Sequence, residues 1–187
     1  MMNPKINPQM IERIQAVRQW YASTPARIDF NSANYRTEIK GNKCFICRLV
    51  QNDSSLHPHT MVAETDDFIA VLDRFPAFRG HTLVCPKAHV ENIFTDLSSP
   101  QYLDLQAFIY RLGQAIARVT SPERIYVCSF GSAQVVSHVH FHLVPLPTGV
   151  PVDGQQTVAM VRAITGVLSM TEKEQEQLAS EIREAML

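Results

Sequence analysis

Three histidines that alternate with apolar residues constrain this chain more than any other feature. His138, His140 and His142 are separated by Val139 and Phe141 in the run HVHFHL, and they are three of only seven histidines in the chain. Successive side chains of a β-strand point to opposite faces, so this spacing places three imidazoles on one face and apolar groups on the other. Chance occurrence in an ordinary strand is the alternative, but a row of imidazoles makes a poor core and an unusual surface. The pattern predicts a strand with a chemical role.

The outer two histidines of this strand cannot easily bind one metal ion together. In an extended strand His138 and His142 are about 13 Å apart, whereas zinc–nitrogen bonds are only about 2 Å long. We therefore expect the three histidines to divide their roles. One end of the row serves a metal, and the middle and the other end face a ligand.

The remaining sequence predicts an α+β fold with a mostly antiparallel sheet. Short β-branched runs between residues 60 and 87 and at 124–130 are typical of strands. A long helix opens at Ser99-Pro100 and extends to about residue 119, with one apolar stripe. Helices are also expected at about residues 8–22 and, in two stretches, after Pro151; the second of these has a capping box at Thr171 and Glu174. The polar segment 23–43 is interpreted as a linker.

Charge and hydropathy exclude several classes of protein. The formal net charge is −1, so a general nucleic-acid-binding surface is not expected. No apolar run is long enough to cross a bilayer, and the first residues lack the layout of a secretory signal. The four cysteines therefore predict free thiols in the cytoplasm rather than disulfides.

The closely spaced pair in CFIC, Cys44 and Cys47, indicates metal or redox chemistry in a reducing compartment. A closed zinc site needs two further ligands. The histidines available from the sequence are His57, His59, His81, His89 and His138. Two core cysteines without a metal are the alternative interpretation. Cys85 and Cys128 lie inside apolar strands and are expected to be buried and inert.

Three segments together resemble the histidine-triad (HIT) family. HVHFH is followed by LVP and preceded by Gln134, as in the family signature. The segment from Asp73 to Phe94 resembles the second conserved block of the family, and CFIC is similar to the cysteine pair of its zinc-containing members. The resemblance covers about residues 44–146. It implies a HIT-like catalytic domain at 44–150, with helical extensions at 1–43 and 151–187.

The resemblance also implies roles for individual residues. His140 is the expected nucleophile toward the α-phosphorus of a nucleotide, with His142 and His81 as its catalytic partners. Gln134, Ser132 and backbone N–H groups at 131–133 are candidate phosphate donors, and Asp73 is the candidate contact to the ribose. The implied structural zinc has four ligands, namely Cys44, Cys47, His89 and His138. His57 and His59 remain an alternative source of ligands, and Ile69, Val71, Phe75 and Phe78 are candidates to line a base pocket.

We therefore expect a nucleotidyl hydrolase that acts on a nucleoside phosphoramidate or a dinucleoside polyphosphate, in a homodimer with the helix at 99–119 in its interface. His142 favours hydrolysis, because related transferases carry glutamine at that position. A phosphorylase or nucleotidyltransferase is the second hypothesis. Val135 stands where relatives have serine or threonine and cannot donate a hydrogen bond to phosphate. A nucleotide-binding zinc protein with weak turnover is thus a third hypothesis.

Overall fold

A five-stranded antiparallel sheet organises the fold. The structure, a computed structural model, describes residues 7–24, 27–31, 33–34, 44–130 and 136–187. The strand order is β2-β3-β4-β6-β5, and β1 pairs with β7 in a separate two-stranded ribbon. The strands are β1 (Arg27–Ile28), β2 (Met61–Glu64), β3 (Phe68–Leu72), β4 (Thr82–Pro86), β5 (Arg124–Cys128), β6 (Phe141–Leu146) and β7 (Val167–Leu168).

Seven helices are described around this sheet, and their caps follow from the sequence. Asn7 caps the first helix with its side chain, while Ser98 and Thr171 begin later helices with complete capping boxes. The helices are α1 (Pro8–Ser23), α2 (Phe45–Val50), α3 (Ile93–Asp96), α4 (Ser99–Thr120), α5 (Thr157–Met160), α6 (Arg162–Thr165) and α7 (Glu172–Ala185). The expected long helix is thus confirmed as α4.

The main core lies between one face of the sheet and helices α4 and α7. Phe141 and Leu143 of β6 contact the apolar stripe of α4 in this cluster, and Leu178 and Ile182 of α7 are fully buried in it. The C-terminal helix therefore shares one core with the sheet and with α4. The division of the chain into an extension at 1–43, a domain at 44–150 and an extension at 151–187 stays a prediction.

The opposite face of the sheet carries His142 and packs against helices α1, α2 and α5. Val144 and Leu146 point to this face together with His142, because alternate residues of β6 share a side. Val144 and Leu146 pack with Val17 and Tyr21 of α1. A third cluster surrounds the buried Ile46 of α2. The N-terminal helix thus covers the sheet directly beside the histidines.

Several sequence expectations need correction. The strand expected at HVHFHLVPL begins only at Phe141, so His138 and His140 precede it. The helix expected at about residues 8–22 is present as α1, with Val17 and Tyr21 buried and Ile11 and Ile14 exposed. Cys85 is buried as expected, but Cys128 is only half-buried. All four cysteines are free. Within the described ranges, no helix has the length and hydrophobicity that a membrane crossing requires.

Candidate active site and metal centre

The hairpin of β3 and β4 brings Asp73 and His81 together. Asp73 follows β3 and His81 precedes β4, so antiparallel pairing places them at the same end of the hairpin, where the Asp73 N–H donates to the His81 carbonyl at 2.8 Å. His142 lies in β6, opposite Leu83 of β4 and Cys128 of β5. The sheet therefore assembles the site from one end of the β3–β4 hairpin and from β6, whose His142 is 61 positions from His81 in the sequence.

The middle histidine presents an unprotonated nitrogen. Nδ1 of His140 lies 2.8 Å from the His138 carbonyl, and because a carbonyl oxygen can only accept, Nδ1 carries the proton. Nε2 of the neutral ring therefore keeps its lone pair. Burial lowers the pKa of His140, which keeps the ring neutral at pH 7. The ring centroids of His140 and His142 are 5.0 Å apart.

A second hydrogen-bonded chain gives His142 the opposite tautomer. The N–H of Ala77 donates to Nδ1 of His81 at 3.1 Å, so the proton of neutral His81 is on Nε2. That nitrogen lies 3.0 Å from Nδ1 of His142 and donates to it. His142 must then carry its own proton on Nε2. Burial lowers the pKa of His81 to about 4 and that of His142 to about 2, so both rings are neutral.

Asp73 is buried behind these histidines with a cationic partner. Its Oδ1 accepts a hydrogen bond from the Phe75 N–H at 2.8 Å, and Oδ2 forms an ion pair with Arg162. Burial alone would raise the pKa of Asp73, but the Arg162 guanidinium, the neighbouring His81 and His142 and the Phe75 N–H together hold the pKa below its usual range. Both oxygens of the predicted ribose contact thus already have protein partners.

The four predicted metal ligands converge on one point. One side-chain atom each from Cys44, Cys47, His89 and His138 lies within 4.8 Å of all the others. Nδ1 of His138 is 3.4 and 3.6 Å from the two sulfurs, and Nδ1 of His89 is 3.2 Å from Cys47. A tetrahedral zinc ion, about 2.3 Å from sulfur and about 2.0 Å from nitrogen, separates S and N by roughly 3.5 Å. The geometry of the four side chains fits zinc.

The second ring nitrogen of His138 and of His89, Nε2, is also hydrogen-bonded within the protein. Nε2 of His138 donates to the Pro86 carbonyl at 2.9 Å, and Nε2 of His89 lies 3.1 Å from the Glu91 carboxylate. Ser137 donates to the same carboxylate. These bonds place the lone pairs on Nδ1, the atoms that face the sulfurs. Hydrogen bonds of this kind orient the histidine ligands of metal sites.

The structure therefore brings together His81, His140 and His142 in one group and the four cysteine and histidine residues in another. Among the described residues, the other candidate ligands and pocket residues do not join either group. Gln134 and Ser132, with the N–H groups at 131–133 and Val135, lie outside the described residues. His59 stacks on Phe45 and bonds to the His57 carbonyl, so neither histidine is in the metal group. Of the predicted base pocket, Ile69, Val71 and Phe78 are buried core residues, and Phe75 is half-buried.

Two further residues of the site were missed by the sequence analysis. Glu91 follows His89 by two positions, and that spacing was an available signal for a carboxylate behind a ligand histidine. Arg162 has no such signal, because it is 89 positions from Asp73 in the sequence. Only folding brings these two charges together.

Comparison with known proteins supports the family resemblance that the sequence indicated. Residues 55–148, half of the chain, match the HIT domain model. Adenosine 5′-monophosphoramidase hnt1 of Schizosaccharomyces pombe is 34% identical over 107 residues, which are 56% of this chain and 74% of that protein.

Two solved structures have the same fold. A hypothetical histidine triad nucleotide-binding protein from Sulfolobus tokodaii aligns with TM-score 0.61 and 23% identity, over 76% of this chain and 91% of its own. A Zn-bound histidine triad family protein from Mycobacterium smegmatis aligns with TM-score 0.59 and 25% identity, over 77% of this chain and 93% of its own.

Proposed function

This chain belongs to the histidine-triad (HIT) family, and from that premise we propose that it is a nucleotidyl hydrolase whose nucleophile is His140. The substrate is a small nucleotide, either a nucleoside phosphoramidate or a dinucleoside polyphosphate, cleaved at the α-phosphate. The phosphoramidase activity named for the Schizosaccharomyces pombe relative supports a nucleotide substrate. Four free thiols suit a reducing compartment, so we infer a cytoplasmic location.

The opposite tautomers of His140 and His142 carry this proposal. Nε2 of His140 has a lone pair, because Nδ1 donates to the His138 carbonyl. Nε2 of His142 carries a proton, because Nδ1 accepts from His81. A nucleophile and a hydrogen-bond donor thus lie side by side, as attack on a phosphoryl group requires.

The reaction proceeds in two displacements. Nε2 of His140 attacks the α-phosphorus, a P–N bond forms, and the bond from phosphorus to the leaving group breaks with its electron pair on the leaving group. A phosphate leaves as an anion, whereas an amine takes its proton from solvent. The cationic ring of the intermediate is stabilised by the Nδ1 hydrogen bond to the His138 carbonyl. Water then attacks the phosphorus, the P–N bond breaks, its electron pair returns to Nε2, and the proton of the water passes to solvent.

His142 stabilises charge rather than giving up its proton. Its pKa is lowered by burial to about 2, and a neutral imidazole is a very weak acid. It therefore remains a fixed donor to an oxygen on which negative charge builds. Gln134, Ser132 and the backbone at 131–133 are proposed to supply further donors, and Asp73 is proposed as the contact to the ribose.

A substrate panel tests the reaction. Adenosine and guanosine 5′-phosphoramidates and dinucleoside polyphosphates are incubated with and without inorganic phosphate, and the products are separated by chromatography. We expect nucleoside monophosphate in both conditions. A nucleoside diphosphate formed only with added phosphate would favour the phosphorylase, and no product from any substrate would favour a binding protein.

We also propose that Cys44, Cys47, His89 and His138 hold one structural zinc ion. When bound, zinc would cross-link the start of α2 to the segments that carry His89 and the first triad histidine. The fit of the sulfur–nitrogen distances supports it, as does the Zn-bound relative of known structure. Metal analysis of protein purified without a histidine tag should give one zinc per chain, lost in Cys44→Ser with a lower unfolding temperature. Substoichiometric zinc that is unchanged in this variant would contradict the assignment.

A further inference from the structure

Arg162 reaches the histidine site from outside the segment that matches the HIT domain, which ends at residue 148. Its Nη2 donates to Oδ2 of Asp73, and the two side chains are only 15% and 6% exposed. The guanidinium also lies 5.6 Å from the ring of Phe30, a residue of the N-terminal extension. Two extensions thus hold a cation against a buried carboxylate of the site.

The position of Arg162 is supported by the β1–β7 ribbon. Arg162 begins α6, which is followed directly by β7. The N–H of Leu168 in β7 donates to the Pro76 carbonyl at 2.9 Å. Arg27 of β1 donates twice to the Ala77 carbonyl, at 2.8 and 2.6 Å. The ribbon is therefore attached to the loop that links Asp73 to His81.

Asp73 competes with His142 for a single proton. Nε2 of His81 lies 3.0 Å from Nδ1 of His142 and 3.6 Å from Oδ2 of Asp73. A buried carboxylate without a cationic partner is a far stronger acceptor than an imidazole nitrogen. Arg162 forms its ion pair with this same oxygen, Oδ2 of Asp73.

We propose that Arg162 is a positioning residue: by engaging Asp73, it leaves the His81 Nε2 proton to His142 and so keeps the His142 Nε2–H available to the substrate. This inference rests on the proposed function for its catalytic consequence, though not for the tautomers themselves. The charged and titratable groups that act on His142 are His81, Asp73, His140 and Arg162. Among these, Arg162 alone carries a positive charge when the histidines are neutral.

Side-chain nitrogen NMR tests the proposal directly. Long-range ¹H–¹⁵N spectra distinguish protonated from unprotonated ring nitrogens, whether or not the protein turns over a substrate. In the wild type we expect His142 to be protonated on Nε2 alone. In Arg162→Met the His81 proton should turn to Asp73, and His142 should become a mixture of both tautomers. The double variant D73N/R162M removes the competing charge and should restore the single tautomer.

Arg79→Met is the matched control. Arg79 lies in the loop that links Asp73 to His81 and pairs with Glu181 at 2.8 Å, and both side chains of this pair are well exposed to solvent. The control should keep the wild-type tautomers and activity. Unchanged tautomers in R162M, or equal changes in R79M, would overturn the proposal.

Kinetics provide the second measurement. In R162M we expect kcat to fall by roughly 10²-fold, the lower end of the range for loss of a hydrogen-bond donor that stabilises developing negative charge, with little change in KM. Arg162→Lys keeps the charge and should recover most of the loss; it also covers the case in which R162M does not fold. Equal kcat in R162M and wild type would overturn the catalytic part. If the wild type itself has no turnover, the proposed function fails, and the NMR result alone decides the role of Arg162.

Discussion

In both sites, a hydrogen bond between one ring nitrogen of each histidine and another group of the protein fixes the protonation of the other nitrogen. Carbonyl oxygens hold His138 and His140, a carboxylate holds His89, and an amide N–H holds His81. Because the partner is a fixed donor or a fixed acceptor in each of these four cases, the partner determines which ring nitrogen carries the proton. Neighbouring histidines of one motif thus acquire different roles.

The sharpest prediction at this scale concerns His140. His140→Gly or His140→Asn should abolish turnover and leave nucleotide binding nearly intact, because loss of the nucleophile removes the covalent route. His142→Ala should slow the reaction by about 10²–10⁴-fold. Rapid quench with labelled substrate should trap an acid-labile, base-stable nucleotide on His140. Wild-type turnover in the His140 variants would refute the mechanism.

Buried histidines also predict how stability depends on pH. The pKa is lowered to about 4 for His81 and to about 2 for His142, so between pH 6.5 and 4 the unfolded chain binds protons that the folded chain does not. The free energy of unfolding should therefore be highest above pH 6.5 and fall on acidification, by about 1.4 kcal/mol per pH unit for each fully neutral histidine.

Urea unfolding of the wild type and His142→Gln between pH 4.5 and 7 measures this dependence. The variant should have the shallower slope, since glutamine can accept from His81 but does not titrate. All other histidines are common to both proteins and cancel in the difference. Parallel slopes would show that His142 is not kept neutral by the fold.

At the scale of elements, the helix near the C-terminus is part of the main core together with the long helix α4. Leu178, Ala179 and Ile182 of α7 are buried in the main cluster. Arg183 donates to the Met61 carbonyl of β2 at 2.5 Å, which ties α7 to the edge of the sheet. This helix therefore stabilises the sheet that carries the histidines, although it lies outside the matched domain.

We predict that Leu178→Ala lowers the free energy of unfolding by about 2–5 kcal/mol, because it leaves a cavity in a closely packed core. Glu176→Ala on the exposed side of the same helix should change it by less than about 0.5 kcal/mol. Chemical denaturation of both variants checks the prediction. Equal stabilities would show that α7 is not part of the cooperative unit.

At the scale of the whole molecule, the outer face of α4 and the edge strand β5 expose apolar groups. Leu103 and Tyr110, one heptad apart on α4, are 64% and 67% exposed, and Val127 of β5 is 49% exposed. Residues seven positions apart lie on one side of a helix. A contiguous apolar patch is typical of an interface, so the exposed Leu103 and Tyr110 are the residues on which to test the predicted homodimer.

We predict a homodimer by light scattering at micromolar concentration. Leu103→Glu with Tyr110→Glu should give a folded monomer, because the two charges would be buried without partners in the interface. Glu176→Ala serves as the control and should remain dimeric. A monomeric wild type would refute the prediction.

Local patterns in the sequence determined the three longest helices, the short strands of the main sheet and most of the residues of both sites, but neither the β1–β7 ribbon nor Glu91 and Arg162. The apolar stripe at 99–120, the capping residues and the cysteine pair depend on neighbours a few positions away, and such signals are readable without a fold. The alternation of His138, His140 and His142 likewise indicated divided roles, although the strand itself begins at Phe141.

Only the tertiary structure decided which proton each histidine carries and which charge faces Asp73. These properties depend on groups that are remote in sequence, such as the Pro86 carbonyl behind His138 and the Arg162 guanidinium beside Asp73. Hydrogen bonds and ion pairs act over a few ångströms, whereas 89 positions separate Asp73 from Arg162. A local sequence pattern cannot predict that Asp73 and Arg162 are close in space, because strand pairing and helix packing determine the distance between them.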